Sequence, residues 1–207
     1  MEDRKVVTPT VDAPKFILIT GSMYSGKSKK LIQIIDSFKE NKKEVLIFKP
    51  KLDKRDKGVV KSRDYKRTYD AYLIGEGEVP TFKKGYLDTI DVVIVDEAQF
   101  LDHRAFKYIK GLANGYDVPV IFAGLDKDFK GEEFTPITWI KELDPHEIHL
   151  KAKCFVCGRH KANQSRRILN NEVTLHGEQV LCGDTESYIA VCSKCDKKLL
   201  EGRGLCC

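Results

Sequence analysis

KFILIT (residues 15–20) runs straight into GSMYSGKS (residues 21–28), and this junction decides how the chain folds. The short apolar run reads as a buried strand, and the stripe of Leu31, Ile32, Ile34, Ile35 and Phe38 reads as a helix face. Between them Gly21, Ser22, Met23, Tyr24, Ser25, Gly26, Lys27 and Ser28 match G-x-x-x-x-G-K-[ST], in the strand–loop–helix setting that the motif needs. The glycines let backbone N–H groups turn inward around phosphate oxygens, and the helix N-terminus adds a positive dipole. Lys27 then reaches the β- and γ-phosphates of ATP, and Ser28 can hold Mg²⁺. A glycine-rich turn that bound nothing would have no use for the lysine and the hydroxyl together.

Outward from the junction, VLIF (residues 45–48), VVIV (92–95) and VPVIFAGL (118–125) are further buried strands, with a helix expected over residues 103–113. Continuous apolar strands alternating with helices indicate an α/β fold, a mostly parallel sheet covered on both faces. Residues 49–67 are charged and poor in apolar side chains, as expected of a loop or hairpin over a site. After Leu150 the periodicity weakens and two cysteine pairs appear. The expected division is an N-terminal extension (1–14), a nucleotide-binding domain (15–150), a zinc-binding domain (151–200) and a C-terminal tail (201–207).

Composition narrows the function classes. The 207 residues, 42% apolar and 32% charged, suit one buried α/β domain with a small appendage and leave little room for disorder. A net charge of +5 without a long single-sign run suits an anionic ligand but does not separate a nucleotide from a nucleic acid. No apolar run approaches membrane-spanning length, and residues 1–14 lack the apolar centre of a signal peptide. The expectation is a cytoplasmic protein with no membrane partner.

Asp96 and Glu97 follow an apolar strand. Neighbouring side chains in an extended chain point to opposite sides, so Asp96 can face Ser28 and the metal while Glu97 faces another substrate. Glu97 is the candidate base, either for an acceptor hydroxyl or for water. Spacing alone leaves both open. Cys154/Cys157 and Cys192/Cys195 form two C-x-x-C pairs, a ligand set for tetrahedral Zn²⁺ that would pin the base of the long loop between them. Cys182, Cys206 and Cys207 lack such partners. The five histidines show no ligand spacing.

Together GSMYSGKS, DEAQF (96–100), GLDKDF (124–129), the two cysteine pairs and GDTESY (183–188) resemble the cytosolic-type (type II) thymidine kinases. The resemblance implies a RecA-like P-loop domain with a zinc-ribbon-like domain carrying a long lasso. It implies transfer of phosphate from ATP to the 5′-hydroxyl of thymidine or deoxyuridine, usually in a homotetramer, with feedback inhibition by thymidine triphosphate. Glu97 is then the catalytic base, Asp96 and Ser28 hold magnesium, and Asp53, Arg55 and Gln99 lie on the nucleotide side. Met23, Phe100, Leu125, Phe129 and Phe134 wall the thymine pocket. Main chain of the lasso at Gln179, Val180, Leu181, Cys182 and Gly183 bonds the pyrimidine, and Tyr188 packs against the nucleoside. Ser165 supplies the hydroxyl where the family has a threonine before a basic pair, with one extra residue between it and Cys157. The rival reading is a nucleic-acid-stimulated ATPase with a zinc ribbon, since DEAQ also reads as a helicase box. The residues after Leu150 are too few to form a second helicase lobe.

Overall fold

A computed structural model describes residues 14–53, 58–62, 65–169, 172–177, 179 and 188–202. Arg55, Val180, Leu181, Cys182, Gly183, Cys206 and Cys207 lie outside the described residues. In chain order the first unit runs β1 (Phe16–Gly21), α1 (Lys27–Glu40), β2 (Val45–Pro50), β3 (Val59–Ser62), β4 (Tyr65–Asp70), β5 (Tyr72–Ile74), β6 (Val92–Val95), α2 (His103–Gly115), β7 (Val120–Ala123), α3 (Thr135–Lys141) and β8 (His146–Leu150). Six of these strands form one sheet in the order β5-β2-β6-β7-β1-β8, and every neighbouring pair is parallel.

Side-chain alternation sorts the core into two layers. Leu18, Leu46, Phe48, Val93, Val95 and Phe122 pack with α2 and α3, whereas Ile19, Ile47, Ile94 and Ile121 pack with α1. This is the two-face covering that the continuous apolar strands predict. Helix α2 starts at an Asp102 cap whose carboxylate accepts from Ala105 N at 2.7 Å and from Gly77 N at 3.2 Å. Several elements differ from the sequence reading, and β7 is confined to Val120–Ala123 within the 118–125 run. β2 extends through Lys49 and Pro50, and β5, α3 and β8 are present although their short or polar sequences carry weak periodicity. The edge strands need less apolar sequence because each pairs on one side only.

The charged stretch after β2 contains the antiparallel β3–β4 hairpin. Alternation puts Tyr65, Arg67 and Tyr69 on one face, where all three reach Asp36 in the middle of α1, at 2.9, 3.0 and 2.5 Å. The hairpin is thereby fastened to the helix that starts at the phosphate loop. After β8 come β9 (Ala152–Lys153), β10 (His160–Ala162), β11 (Gln164–Leu169), β12 (Glu172–Thr174), β13 (Tyr188–Val191) and α4 (Ser193–Leu200). β9 pairs with β10, and β12-β11-β13 make a second antiparallel sheet. Their small core gathers Ala152, Cys154, Ala162, Ile189, Val191, Cys192 and Cys195.

Candidate active site

The phosphate loop occupies the turn from β1 to α1. Gly21 has φ 146° and Gly26 φ 88°, both in the region that favours glycine. At Gly21 the need is also steric, because a Cβ would stand 2.2 Å from the Leu150 carbonyl oxygen on β8. Gly26 serves as the N-cap of α1 without a side-chain cap, which leaves the first-turn N–H groups facing the loop. The Lys27 ammonium donates to the Gly21 and Ser22 carbonyls at 3.0 and 2.9 Å, so it lies over the loop it serves. The Ser25 hydroxyl is buried with no hydrogen-bond partner among the described residues, a polar atom that an anion's oxygen would satisfy.

Asp96 extends the alternation of Val92 and Ile94, which faces α1, and its N–H donates to Phe48 O at 3.1 Å. The register Phe48↔Val95 puts Lys49 beside Asp96 on the next strand. Lys49 is only 2% exposed and forms an ion pair with Asp53, 4% exposed, at 3.1 Å. It also donates to Val59 O at 3.1 Å. Burial pushes the Asp96 carboxyl up to about 7, the Glu97 charge adds to this, and Lys49 opposes it. A buried acid held toward its neutral form regains its charge when a cation arrives, so the chemistry of Asp96 fits a divalent cation. Lys49 is the site residue that motif reading missed. Its signal was a lysine on the inward parity of an otherwise apolar strand.

Glu97 breaks from the strand at φ 52°, ψ 41°, a left-handed conformation uncommon outside glycine, and caps a short 3₁₀ turn (Ala98–Phe100). Gln99, buried at 2% exposure, donates to Glu97 Oε2 at 2.6 Å and accepts from Leu125 N–H at 3.0 Å. Gly124 is needed beneath it, since a Cβ there would meet Gln99 Oε1 at 2.6 Å. The glutamine therefore joins the candidate base to the loop after β7.

That loop carries the expected pocket wall. Phe100 and Phe134 meet edge to face with centroids 6.1 Å apart, and both pack with Leu125 in the α2–α3 layer. Phe129 is buried with the Arg167 guanidinium 3.7 Å over its ring. The second unit closes on the phosphate loop through Ser165 Oγ, which accepts from Met23 N at 2.9 Å, and through the Ala162 and Tyr188 carbonyls, which accept from Ser22 Oγ at 3.4 Å and Tyr24 Oη at 3.3 Å. Ser165 thus bonds the loop main chain. Gln179 is exposed.

The sulfurs of Cys154, Cys157, Cys192 and Cys195 all lie within 4.8 Å of one another, with Cys157 and Cys192 at 3.9 Å. A tetrahedral Zn–S site with bonds of about 2.3 Å separates its sulfurs by roughly 3.8 Å, so the cluster fits zinc. Burial and the adjacent thiols push Cys195 up to about 12. At Cys154 burial is outweighed by N–H groups of Cys157, Cys192 and Val156, which bring it down to about 7. Cys154 is thereby drawn toward its thiolate form, the form that ligates a metal.

The comparison with known proteins decides the family. The family model described as thymidine kinase matches residues 14–196. The chain belongs to the thymidine kinase family. Relatives named thymidine kinase include those of Mycoplasma capricolum subsp. capricolum (34% identical, covering 86% of each chain), Pseudothermotoga lettingae (32%, 90% of this chain and 97% of the relative) and Bacteroides fragilis (35%, 89% and 87%). The family match spans the phosphate loop, the acids and all four cluster cysteines. It gives no support to a nucleic-acid-stimulated ATPase. Among the described residues no helix is long and apolar enough to cross a membrane.

Proposed function

We propose that the chain passes the γ-phosphate of ATP to the 5′-hydroxyl of thymidine or deoxyuridine, giving the 5′-monophosphate and ADP. The observation that carries this reading is the Gln99 bridge. It ties the Glu97 carboxylate to the main chain of Leu125, a pocket-wall residue, as suits a base that serves a bound nucleoside. The phosphate loop receives the triphosphate, and Lys27 exchanges loop carbonyls for phosphate oxygens. Asp96 and Ser28 would hold Mg²⁺, which would offset charge on the phosphates. Glu97 accepts the hydroxyl proton as the sugar oxygen attacks the γ-phosphorus in line. Phe100, Leu125, Phe129 and Phe134 exclude water from the base.

Residues 15–150 act as the phosphate-transfer unit, and residues 151–200 as a zinc-stapled cap whose lasso reads the pyrimidine. The motif resemblance supports a cytoplasmic homotetramer inhibited by thymidine triphosphate, which light scattering and product-analogue inhibition would test. The deciding experiment incubates the purified protein with Mg-ATP and a nucleoside panel, with single-stranded DNA in parallel. Thymidine monophosphate on the chromatogram is the expected product. ATP hydrolysis that rises with DNA and ignores every nucleoside would reject the proposal.

A further inference from the structure

Arg166 and Arg167 follow Ser165 on β11 and are only 5% and 6% exposed. Phosphate transfer as described assigns Arg166 no task. Burying a guanidinium is costly unless its donors are met, so its partners show what it is there to hold. Arg166 makes a two-pronged fork on Asp196, Nε to Oδ1 at 2.6 Å and Nη2 to Oδ2 at 2.7 Å. Its remaining nitrogen, Nη1, donates to the Phe129 carbonyl at 2.6 Å. The planar guanidinium is thus used at both ends, a geometry that lysine cannot copy.

The two ends belong to different units. Asp196 follows Cys195 in the first turn of α4, and its N–H donates to Cys192 O at 2.9 Å, so its position is set by the last cysteine pair. Phe129 lies in the loop between β7 and α3. That loop is stiff within itself, because Asp128 Oδ1 accepts from the N–H groups of Lys130, Gly131 and Glu132, each at 2.9 Å. Its placement against the second unit therefore depends on what grips it from β11. Gln164 Nε2 holds Asp128 O at 2.8 Å, and two residues along the strand Arg166 holds Phe129 O. Of these two side chains, Arg166 also forms hydrogen bonds to Asp196, in the helix that Cys192 caps and that carries Cys195.

We propose that Arg166 is a positioning residue for the nucleoside: through Asp196 it carries the order imposed at the four cysteines to the Phe129 wall, so that metal occupancy sets nucleoside affinity and leaves ATP affinity nearly untouched. The inference rests on the kinase reading of Phe129 given above. The hydrogen bonds that Ala162, Ser165 and Tyr188 accept from the phosphate loop do not involve the Arg166 side chain. Fixing a wall before the ligand arrives lowers the ordering cost of binding, and that gain is lost when the fork is cut.

The test is titration calorimetry of the full-length, zinc-replete protein with thymidine and, separately, with ATP. Zinc per chain is measured on each sample. The parent, Arg166→Met, Asp196→Asn and the double variant are compared. Each single variant is expected to weaken thymidine binding tenfold or more and to shift ATP affinity less than threefold, with zinc retained. The double variant should be no weaker than Arg166→Met, because both changes cut one connection. Stripping zinc from the parent should reproduce the thymidine loss and add little to Arg166→Met. Zinc-replete Arg166→Met with thymidine affinity within threefold of the parent overturns the proposal, as does an equal loss of ATP and thymidine binding. If Arg166→Met does not fold, Asp196→Asn decides by the same two criteria. A parent that binds ATP but no nucleoside rejects the kinase reading itself, and this is visible before any variant is made.

Discussion

Replacing Gln99 with leucine should leave a folded protein that binds ATP and transfers phosphate poorly. The side chain is 2% exposed, so leucine fills similar space and the change is chiefly the loss of two hydrogen bonds. Leaving the Leu125 N–H without its acceptor costs about 1–3 kcal/mol, and removing the donor from a charged carboxylate costs about 1.5–3 kcal/mol. Additional apolar burial returns about 1–2 kcal/mol. The net loss is roughly 1–5 kcal/mol, which for a chain of this size lowers Tm by roughly 2–20 °C. The catalytic effect is separate. Glu97 loses the partner that fixes its carboxylate, and a misplacement of about 1 Å at a reacting group costs on the order of 100-fold in rate. Steady-state formation of the nucleoside monophosphate, with ATP affinity measured on the same preparation, checks both. The expected result is kcat down about 100-fold with ATP affinity unchanged. If kcat stays within threefold of the parent in a protein whose Tm has fallen as stated, the bridge holds structure only, and the assignment of Glu97 through it fails.

Three further perturbations follow from the same geometry. Glu97→Gln preserves the left-handed turn and the shape of the side chain, so turnover should fall by orders of magnitude while ATP binding persists; near-normal turnover in a quench-flow assay would remove Glu97 as the base. Gly21→Ala puts a methyl group against Leu150 O at a φ that L-residues avoid, an overpacking and strain penalty of about 2–6 kcal/mol. Thermal melts should show the loss and nucleotide titration should show no binding; an alanine variant that binds ATP like the parent would contradict the close approach of β8. Asp36 is drawn upward by burial, but hydrogen bonds from Tyr69, Arg67 and Tyr65 prevail and hold its pKa below the ordinary value. A depressed pKa gives stability that is present above the unfolded value near 3.8 and lost as pH falls through the folded value. Denaturant melts of Asp36→Asn against the parent should therefore show a difference that is full near pH 6 and closes below about pH 4, whereas a pH-independent difference would mean that the carboxylate charge does not fasten the hairpin.

Motif and period made much of this protein legible from one dimension. The phosphate loop needs residues close in sequence, and its strand–loop–helix setting is written in apolar spacing on either side, so Gly21 to Ser28 could be placed without coordinates. The same holds for the central strands β1, β2, β6 and β7, whose burial on both faces leaves uninterrupted apolar runs. The cysteine pairs announced a four-sulfur cluster because each knuckle is local, and only the closure of the two pairs is distant. Less was legible at the edges. β5 and β8 carry too few apolar residues to display a period, and α3 is only seven residues long.

The sequence by itself determined the chemistry available: a phosphate grip, two adjacent acids, four thiols and a set of aromatic side chains. Tertiary structure alone decided which of these groups act on one another. Glu97 reaches Leu125 through Gln99, Lys49 comes beside Asp96 through the register of β2 and β6, and Arg166 joins Asp196 to Phe129. Each partnership spans residues far apart in the chain, and local periodicity carries no information about distant contacts. They exist because burial of the sheet faces and closure of the second unit bring those segments together, and a buried polar group is stable only where a partner is waiting.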